Sequence, residues 1–493
     1  MNRRMIAYVL GILLLCEAGL LLFPTAVALI FSENVVTSFL FSIAILVICG
    51  FILVKCKPKD TTIYARDGLI IVSLGWIVLS LFGALPFFLS GEIPHYIDAV
   101  FETVSGFTTT GSSILSNVEA LSKSMLFWRS FTHWIGGMGV LVFLLAIVPL
   151  SGGSNMNLMR AESPGPSVGK LVPKMRYTAR ILYVIYFALT ILELIALLIA
   201  KMPWFDALCI SVGTAGTGGF GILNSSIGGY SIAVQWIVTI FMILFGINFN
   251  AYYLILFGQI KNAFKMEEVR VFLSVVLLAI VIITFDISNM YGSLFEAVTD
   301  SAFQVASVVS STGFATTDFD LWPGLSKTIL VLLMFMGACA GSTGGGIKVS
   351  RFVLVAKSIK KELHSYIHPK AVKQIVMDDK EVEYGTVRSV FIYFLTFATL
   401  FVVSILIIAL EEKDLVTNFT SVLATMNNIG PGLSMVGPTQ NFAHFSILSK
   451  WVFMFDMLAG RLELFPLLIL FHPSIWHDLI VRPTRKKFRK THL

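Results

Sequence analysis

Four stretches of the sequence gather threonine, serine and glycine at one matched spacing. They read Asp98-AVFETVSGFTTTGSS, Asp206-ALCISVGTAGTGGFG, Asp300-SAFQVASVVSSTGFA and Thr417-NFTSVLATMNNIGPG, and Gly111, Gly219, Gly313 and Gly430 each fall 13 residues after the first residue. The chemistry open to such clusters is backbone chemistry. A dehydrated alkali cation is coordinated by rings of carbonyl oxygens that replace its water, and glycine tolerates the inward-turned conformations that other residues resist. Thr108, Thr109, Thr110, Thr217 and Thr312 can add hydroxyls. Non-helical backbone at membrane depth survives only where it lines a polar cavity.

The elements that position these clusters follow from composition. Of 493 residues 56% are apolar and 13% charged, and the mean hydropathy is +0.84. A soluble domain of that size would expose large apolar areas, so lipid must be its solvent. A helix crosses the hydrocarbon core in about 20 apolar residues. About ten such runs occur, near 6–31, 36–54, 67–91, 124–149, 179–200, 232–257, 269–292, 325–352, 387–410 and 446–471. The clusters recur every 94 to 117 residues, which predicts four repeats of helix, pore helix, loop and helix around one pore, preceded by two further helices. The expected fold is therefore an all-α integral membrane protein of about ten transmembrane helices. Its expected divisions are 1–60 for the two leading helices, 61–165, 166–265, 266–375 and 376–480 for the repeats, and 481–493 for a basic tail. Asp98, Asp206, Asp300 and Thr417 are expected to cap the pore helices, whose C-terminal dipole ends would then favour a cation.

Most of the 36 basic residues lie in alternate connections: Arg3 and Arg4, Lys55 to Arg66, Arg160 to Arg180, Lys261 to Arg270, Lys348 to Arg388, and Arg482 to Lys490. The positive-inside rule puts these segments and both termini in the cytoplasm. Glu33, Glu92, Asp98, Glu102, Glu119, Asp206, Glu296, Asp300, Asp318, Asp320, Glu411, Glu412 and Asp414 then face outward and would concentrate cations. The net charge of +7 is an asymmetry across a membrane, and no basic groove with interleaved aromatics points to nucleic acid. The first 28 residues resemble a leader, yet the run is long enough to span and Glu17 interrupts it. Cys16, Cys49, Cys56, Cys209 and Cys339 form no close pair and read as small buried hydrophobes.

Other patterns carry less. GTGGFG (216–221) fits a dinucleotide fingerprint but precedes no βαβ unit, and GSTGGGIK (341–348) has Ile347 where a phosphate loop needs its lysine. His364 and His368 stand four apart without a third ligand, as on a solvated helix. No paired nucleophile and base suggests an enzyme, and no organic cofactor is expected. The run from 326 to 354 contains five glycines in the ten residues from Gly337 to Gly346. At about 1 kcal/mol each relative to alanine, a regular helix cannot persist there. Glu193, Asp286, Asp456, Arg461 and Glu463 interrupt apolar runs and should face a cavity or a partner.

The chain resembles the Trk/Ktr/HKT superfamily of potassium transporters, within it the bacterial TrkH-type uptake proteins. The resemblance rests on GALPFFLSG (83–91), the first loop through TTTGSS, FWRSFTHWIGGMGVLVF (127–143), RAESPGP (160–166), TAGTGGFG, STGFATTDFDLWP (311–323), GACAGSTGGGIKVSR (337–351) and GRLELFP (460–466). It implies potassium as the transported ion, a homodimer with one pore per subunit, and a cytosolic nucleotide-binding regulatory ring. It also implies a bacterial inner-membrane location and contact with membrane lipid. The implied potassium filter comprises Thr110, Gly111, Gly218, Gly219, Thr312, Gly313, Ile429 and Gly430, with the second loop open by one residue between Gly218 and Gly219. The glycine-broken segment should face the cavity below the filter and cross the permeation path, so the expected gate comprises Ala340, Gly341, Ser342, Thr343, Gly344, Gly345, Gly346 and Arg461, where Arg461 matches the family's arginine in the last helix. An ion pair of Arg461 with Asp456 or Glu463 is the structural alternative. A proton- or sodium-coupled symporter with Glu193 and Asp286 as relays is the competing mechanism, disfavoured by four same-handed loops in place of two inverted repeats.

Overall fold

The computed structural model describes residues 2–56, 58, 64–137, 139, 175–370, 373–473 and 475. The RAESPGP motif, the Arg160 to Lys174 basic stretch and the basic tail lie outside them.

Apolar length decides the helices. Arg3–Ile30, Val36–Val54, Arg66–Ser90, Arg180–Ile199, Glu267–Met290 and Tyr384–Glu411 are long and apolar enough to cross a membrane. They match six of the ten apolar runs. The first two cross closely at Gly11 and Gly50: a Cβ on Gly11 would lie 2.8 Å from the Gly50 carbonyl oxygen, so small residues set that contact. Large apolar side chains such as Phe41, Ile199, Phe285 and Leu395 are two-thirds exposed or more, the outward pattern expected with lipid as solvent. Cys209 and Cys339 are buried as expected, but Cys56, just past the end of the second span, is exposed.

The remaining four runs are the second helices of the repeats, and none of them continues as one straight helix through the described residues. Lys123–Gly137 ends at a Gly-Gly pair. Ile232–Gly246 and Phe249–Leu256 meet at 91°. Gly324–Phe335 gives way to a loop and resumes as Val349–Ile367, and Ile447–Arg461 gives way to a turn in which Glu463 and Leu464 take positive φ. Only the third break was expected from glycine content. In the second repeat the signal is Gly246-Ile247-Asn248: the glycine ends one helix and the Asn248 side chain caps the next by accepting from the Asn250 N–H at 2.9 Å.

Four short helices sit between the paired spans: Tyr96–Phe107, Trp204–Gly216, Leu294–Val309 and Leu415–Met426. Their cap positions are His95, Pro203, Ser293 and Asp414, so the expected caps are displaced into the helices. The four residues instead fasten each helix to what surrounds it. Asp98 accepts from Lys450 Nζ (2.6 Å), Asp206 from the Tyr230 hydroxyl (3.0 Å), Asp300 from the Thr316 hydroxyl (2.8 Å) and Thr417 Oγ1 from the Met435 N–H (3.3 Å). Among the described residues, the strands form one hairpin of two short arms, Val376–Met377 and Lys380–Glu381, before the Tyr384 helix.

Candidate ion-conduction site

Each short helix ends the same way. The N–H groups of Thr109, Thr217, Ser311 and Asn428 donate three residues back, and those of Thr110, Gly218, Thr312 and Ile429 donate five residues back, at 2.8 to 3.3 Å. This is the Schellman closure, which needs a left-handed residue at its first position. Thr109, Thr217, Ser311 and Asn428 occupy it with φ between 53° and 57°. Threonine and serine resist that conformation, so the surrounding packing must hold it.

Two residues further on, Gly111, Gly219, Gly313 and Gly430 take φ of 81°, 75°, 86° and 101°. They also meet the neighbouring loop. A Cβ on Gly111 would strike the Gly218 carbonyl oxygen, one on Gly219 the Thr312 oxygen, and one on Gly313 the Ile429 oxygen; one on Gly430 would lie 2.9 Å from the Thr110 oxygen. The contacts run from loop 1 to 2 to 3 to 4 and back to 1, so the carbonyl ring closes. In this register Gly219 is the equivalent of Gly111, Gly313 and Gly430, and Gly218 stands with Thr110, Thr312 and Ile429. Ser112 Oγ donates to the Gly430 carbonyl (3.0 Å) and Asn428 Nδ2 to Thr110 Oγ1 (2.9 Å), stitching the last loop to the first. Buried carbonyl oxygens so arranged can replace the hydration shell of a monovalent cation. Among the described residues, no group of three or more His, Cys, Asp or Glu side chains is placed to hold a metal ion.

The ring is held from behind by buried side chains, among them Glu102, which the sequence reading places on the outer face but which is 1% exposed. Glu102 accepts from Ser113 Oγ (3.0 Å), the Ile114 N–H (3.1 Å) and Arg129 Nε, and Arg129 also donates to the Gly221 carbonyl (2.9 Å) across to loop 2. Both members of this ion pair are buried. The His133 ring sits where a Cβ on Gly218 would lie. Its Nδ1 lies 2.7 Å from the Gly106 carbonyl and its Nε2 accepts from the Phe220 N–H at 3.3 Å, which fixes a neutral tautomer with the proton on Nδ1. In loop 3 Gln304 donates to Thr316 (3.3 Å), and in loop 4 the Leu433 N–H donates to Thr420 Oγ1 (3.0 Å).

Below the ring lies the glycine-rich loop, closed at its neck by a bridge between Met336 and Ile347. Gly344 packs under the end of the third short helix, where a Cβ would be 2.7 Å from the Ser310 carbonyl oxygen. Gly345 packs under the fourth, 2.8 Å by the same measure from the Asn427 oxygen, and its N–H donates to Ser311 Oγ at 2.5 Å. Arg461 donates to the Thr343 carbonyl (2.9 Å) and to the Gly136 and Gly137 carbonyls, joining this loop to the end of the first repeat's second helix. Lys348 Nζ donates to the Gly344 and Gly345 carbonyls. Glu463 pairs with Arg351 and Asp456 accepts from Ser404 (2.8 Å), so the two acids named as ion-pair partners for Arg461 have other engagements. Asp286 accepts from Ser326 Oγ (2.6 Å) and the Ser326 N–H (3.1 Å) at the start of the third repeat's second helix.

Several outer acids also have structural work. Glu33 accepts from the N–H groups of Lys123 (2.7 Å) and Ser124 (3.1 Å), Glu92 from that of Ser122 (3.0 Å), and Glu411 from that of Ser446 (3.0 Å). His364 and His368 lie with rings 4.9 Å apart, in the last turn and at the C-cap of the Val349–Ile367 helix.

Spanning helices that alternate with short buried helices, and four loops closing into one ring, define a multi-span membrane transport protein with a single pore. Comparison with known proteins agrees. The chain belongs to the TrkH family, described as a cation transport protein, which matches residues 32–478. It is 37% identical over 486 residues to the Trk system potassium uptake protein TrkH of Salmonella typhimurium, covering 97% of this chain and 100% of the relative. It is 33% identical to TrkG of Escherichia coli K12, over 96% of this chain and 99% of that one. The crystal structure of the potassium transporter TrkH from Vibrio parahaemolyticus superposes with a TM-score of 0.87 at 33% identity, covering 97% of this chain and all of that one.

Removing Arg129 would leave Glu102 charged and buried, at a cost of about 3–5 kcal/mol. Arg129→Met is expected to lower the thermal unfolding midpoint of the detergent-solubilised protein well below that of the Glu102→Gln, Arg129→Met double variant. Equal midpoints for the two would show that the ion pair does not hold loops 1 and 2.

Proposed function

We propose that the chain is the membrane subunit of a Trk-type potassium uptake system and conducts potassium through a gated, channel-like pore. The observation that carries this reading is the closed carbonyl ring, built from four loops with one backbone geometry. Thr110, Gly111, Gly218, Gly219, Thr312, Gly313, Ile429 and Gly430 form the selectivity filter, with potassium as the transported substrate. The short helices aim their C-terminal ends at it and favour a cation there. The repeats divide the chain near residues 60, 165, 265, 375 and 480. The protein sits in the bacterial inner membrane with both termini cytoplasmic, as the distribution of lysine and arginine supports. It works as a homodimer in contact with lipid, under a cytosolic nucleotide-binding ring whose docking the basic inner face favours.

Ala340 to Gly346 and Arg461 form the gate. Two cationic side chains, Arg461 and Lys348, donate to carbonyls of the loop beneath the filter. In that position they oppose a potassium ion and tie the loop shut. The contacts that Asp286 makes with Ser326 favour a capping role for it over that of a relay in coupled symport.

Selectivity is tested by reversal potentials in planar bilayers. A potassium-selective potential that follows the potassium gradient and ignores a proton gradient is expected, and a shift with pH would establish coupling instead. Gly111→Ser is expected to lower the potassium-to-sodium permeability ratio, because its side chain meets the Gly218 carbonyl; an unchanged ratio removes loop 1 from the filter. Deleting Ala340 to Gly345 is expected to raise potassium flux in proteoliposomes with the ratio preserved, and Arg461→Ala to act in the same direction. A folded deletion protein with equal or lower flux would overturn the gate.

A further inference from the structure

The glycine-rich loop enters and leaves its position at two points that share one acceptor. Glu268 stands in the first turn of the Glu267–Ile287 helix and is 3% exposed. Its Oε1 accepts from the Ala340 N–H at 2.6 Å and from the Ser350 N–H at 3.1 Å, residues ten apart in sequence. Its Oε2 accepts from Asn248 Nδ2 at 3.3 Å, in the bend between the two halves of the second repeat's second helix. That bend is itself stitched to the loop, since the Phe249 N–H donates to the Gly341 carbonyl and the Cys339 N–H to the Gly246 carbonyl, both at 3.0 Å.

A buried carboxylate must be compensated where it stands. Glu268 is compensated by the Ala340 amide of the loop, the Asn248 side-chain amide and the Ser350 amide in the N-terminal turn of the Val349–Ile367 helix, whose first N–H groups have no partner within the helix. Displacing either end of the loop strands the charge. Motion is therefore confined to the segment between the two fixed amides, and the backbone is prepared for it there. Gly341 and Gly346 both take left-handed φ, 71° and 70°, and they bracket Ser342 to Gly345. Hinges are a few positions able to absorb large φ and ψ changes.

We propose that Glu268 is a positioning residue for gating: it pins both ends of the intramembrane loop so that the tip, Ser342 to Gly345, swings about Gly341 and Gly346. The pin sets how tightly the loop rests beneath the carbonyl ring without touching the ion. This rests on the loop being the gate.

The test uses the full chain in proteoliposomes and single-channel recording in bilayers. Glu268→Gln keeps the volume and removes the charge that strengthens both amide bonds. It is expected to raise basal potassium flux by about tenfold, through open probability, with unit conductance and the potassium-to-sodium ratio unchanged. Hydrogen exchange in the 338–350 segment is expected to accelerate. In the background of the Ala340 to Gly345 deletion the same substitution is expected to add nothing. Where Glu268→Gln fails to fold, Asn248→Asp decides: aspartate keeps the helix cap and sets a like charge against Oε2, so it should raise flux as well. If the deletion raises flux and the folded point variants do not, the pin is overturned and the gate stands. An additive effect of Glu268→Gln on the deletion would also overturn the pin, by placing its action elsewhere. If the deletion itself leaves flux unchanged, the gate fails and the pin with it.

Discussion

Carbonyl oxygens that coordinate an ion must be withheld from other partners, and withholding backbone acceptors from hydrogen bonds inside a membrane is costly unless a polar cavity receives them. For the proposed filter, most of the architecture follows from meeting that constraint four times. The chain has to descend, stop, turn its carbonyls toward an axis and climb out. The short helices bring it down: at about 1.5 Å per residue their 12 to 16 residues are long enough for roughly 60 to 80% of the hydrocarbon core. The Schellman closure then satisfies the last helical carbonyls while reversing the backbone, at residues that resist the reversal. Glycine completes the turn because the space of its missing Cβ is filled by the next loop's oxygen.

A pore assembled from identical subunits supports each loop identically. Here one chain reaches fourfold backbone geometry with four different supports. A buried ion pair stands behind loop 1, a neutral histidine behind loop 2, a glutamine and threonine behind loop 3, and a threonine gripping the backbone behind loop 4. The ring is thus conserved in shape and not in chemistry, which leaves each loop open to separate tuning. The Arg129 bridge to Gly221 and the Asn428 bridge to Thr110 show that supports also cross between loops. Strain at Thr109 or Thr217 is accordingly carried by more than one repeat.

These features were unequally legible in the sequence. The spacing of 13 residues to each filter-type glycine survived because a Cβ there is sterically excluded, so the constraint acts on residue identity itself. The apolar runs were legible for the same kind of reason, through solvent. The breaks after Gly246 and Arg461 were not, since a bend leaves hydropathy unchanged; Asn248, a capping residue in an apolar run, betrayed the first, while Arg461 and Glu463 marked the second run as interrupted without marking a bend. The aspartates marked the right helices but not their caps: Asp98 and Asp206 stand at the third helical position, which a carboxylate suits as well as the cap, and Asp300 stands in the middle of its helix, bound to Thr316. His133 and Glu268 escaped because each acts on backbone far away in sequence, and Glu102 was read as an outer acid because its burial against Arg129 appears only in the fold.

If the third repeat's broken helix is the gate proposed for it, it closes a path reversibly. An apolar plug would gain burial on closing and resist hydration on opening. The loop instead offers carbonyls to Arg461 and Lys348 and an amide to Ser311. Each of these groups can exchange its protein partner for water in a hydrated cavity at modest net cost. Closing therefore trades hydrogen bonds of similar strength, and the balance is left to small biases: the charge of the two donors against an incoming cation, the two left-handed glycines, and the carboxylate at the loop's ends. An equilibrium so nearly even is one that a cytosolic partner could shift through the Val349–Ile367 helix, because that helix begins at the loop's exit and carries any displacement of its far end back to Ser350.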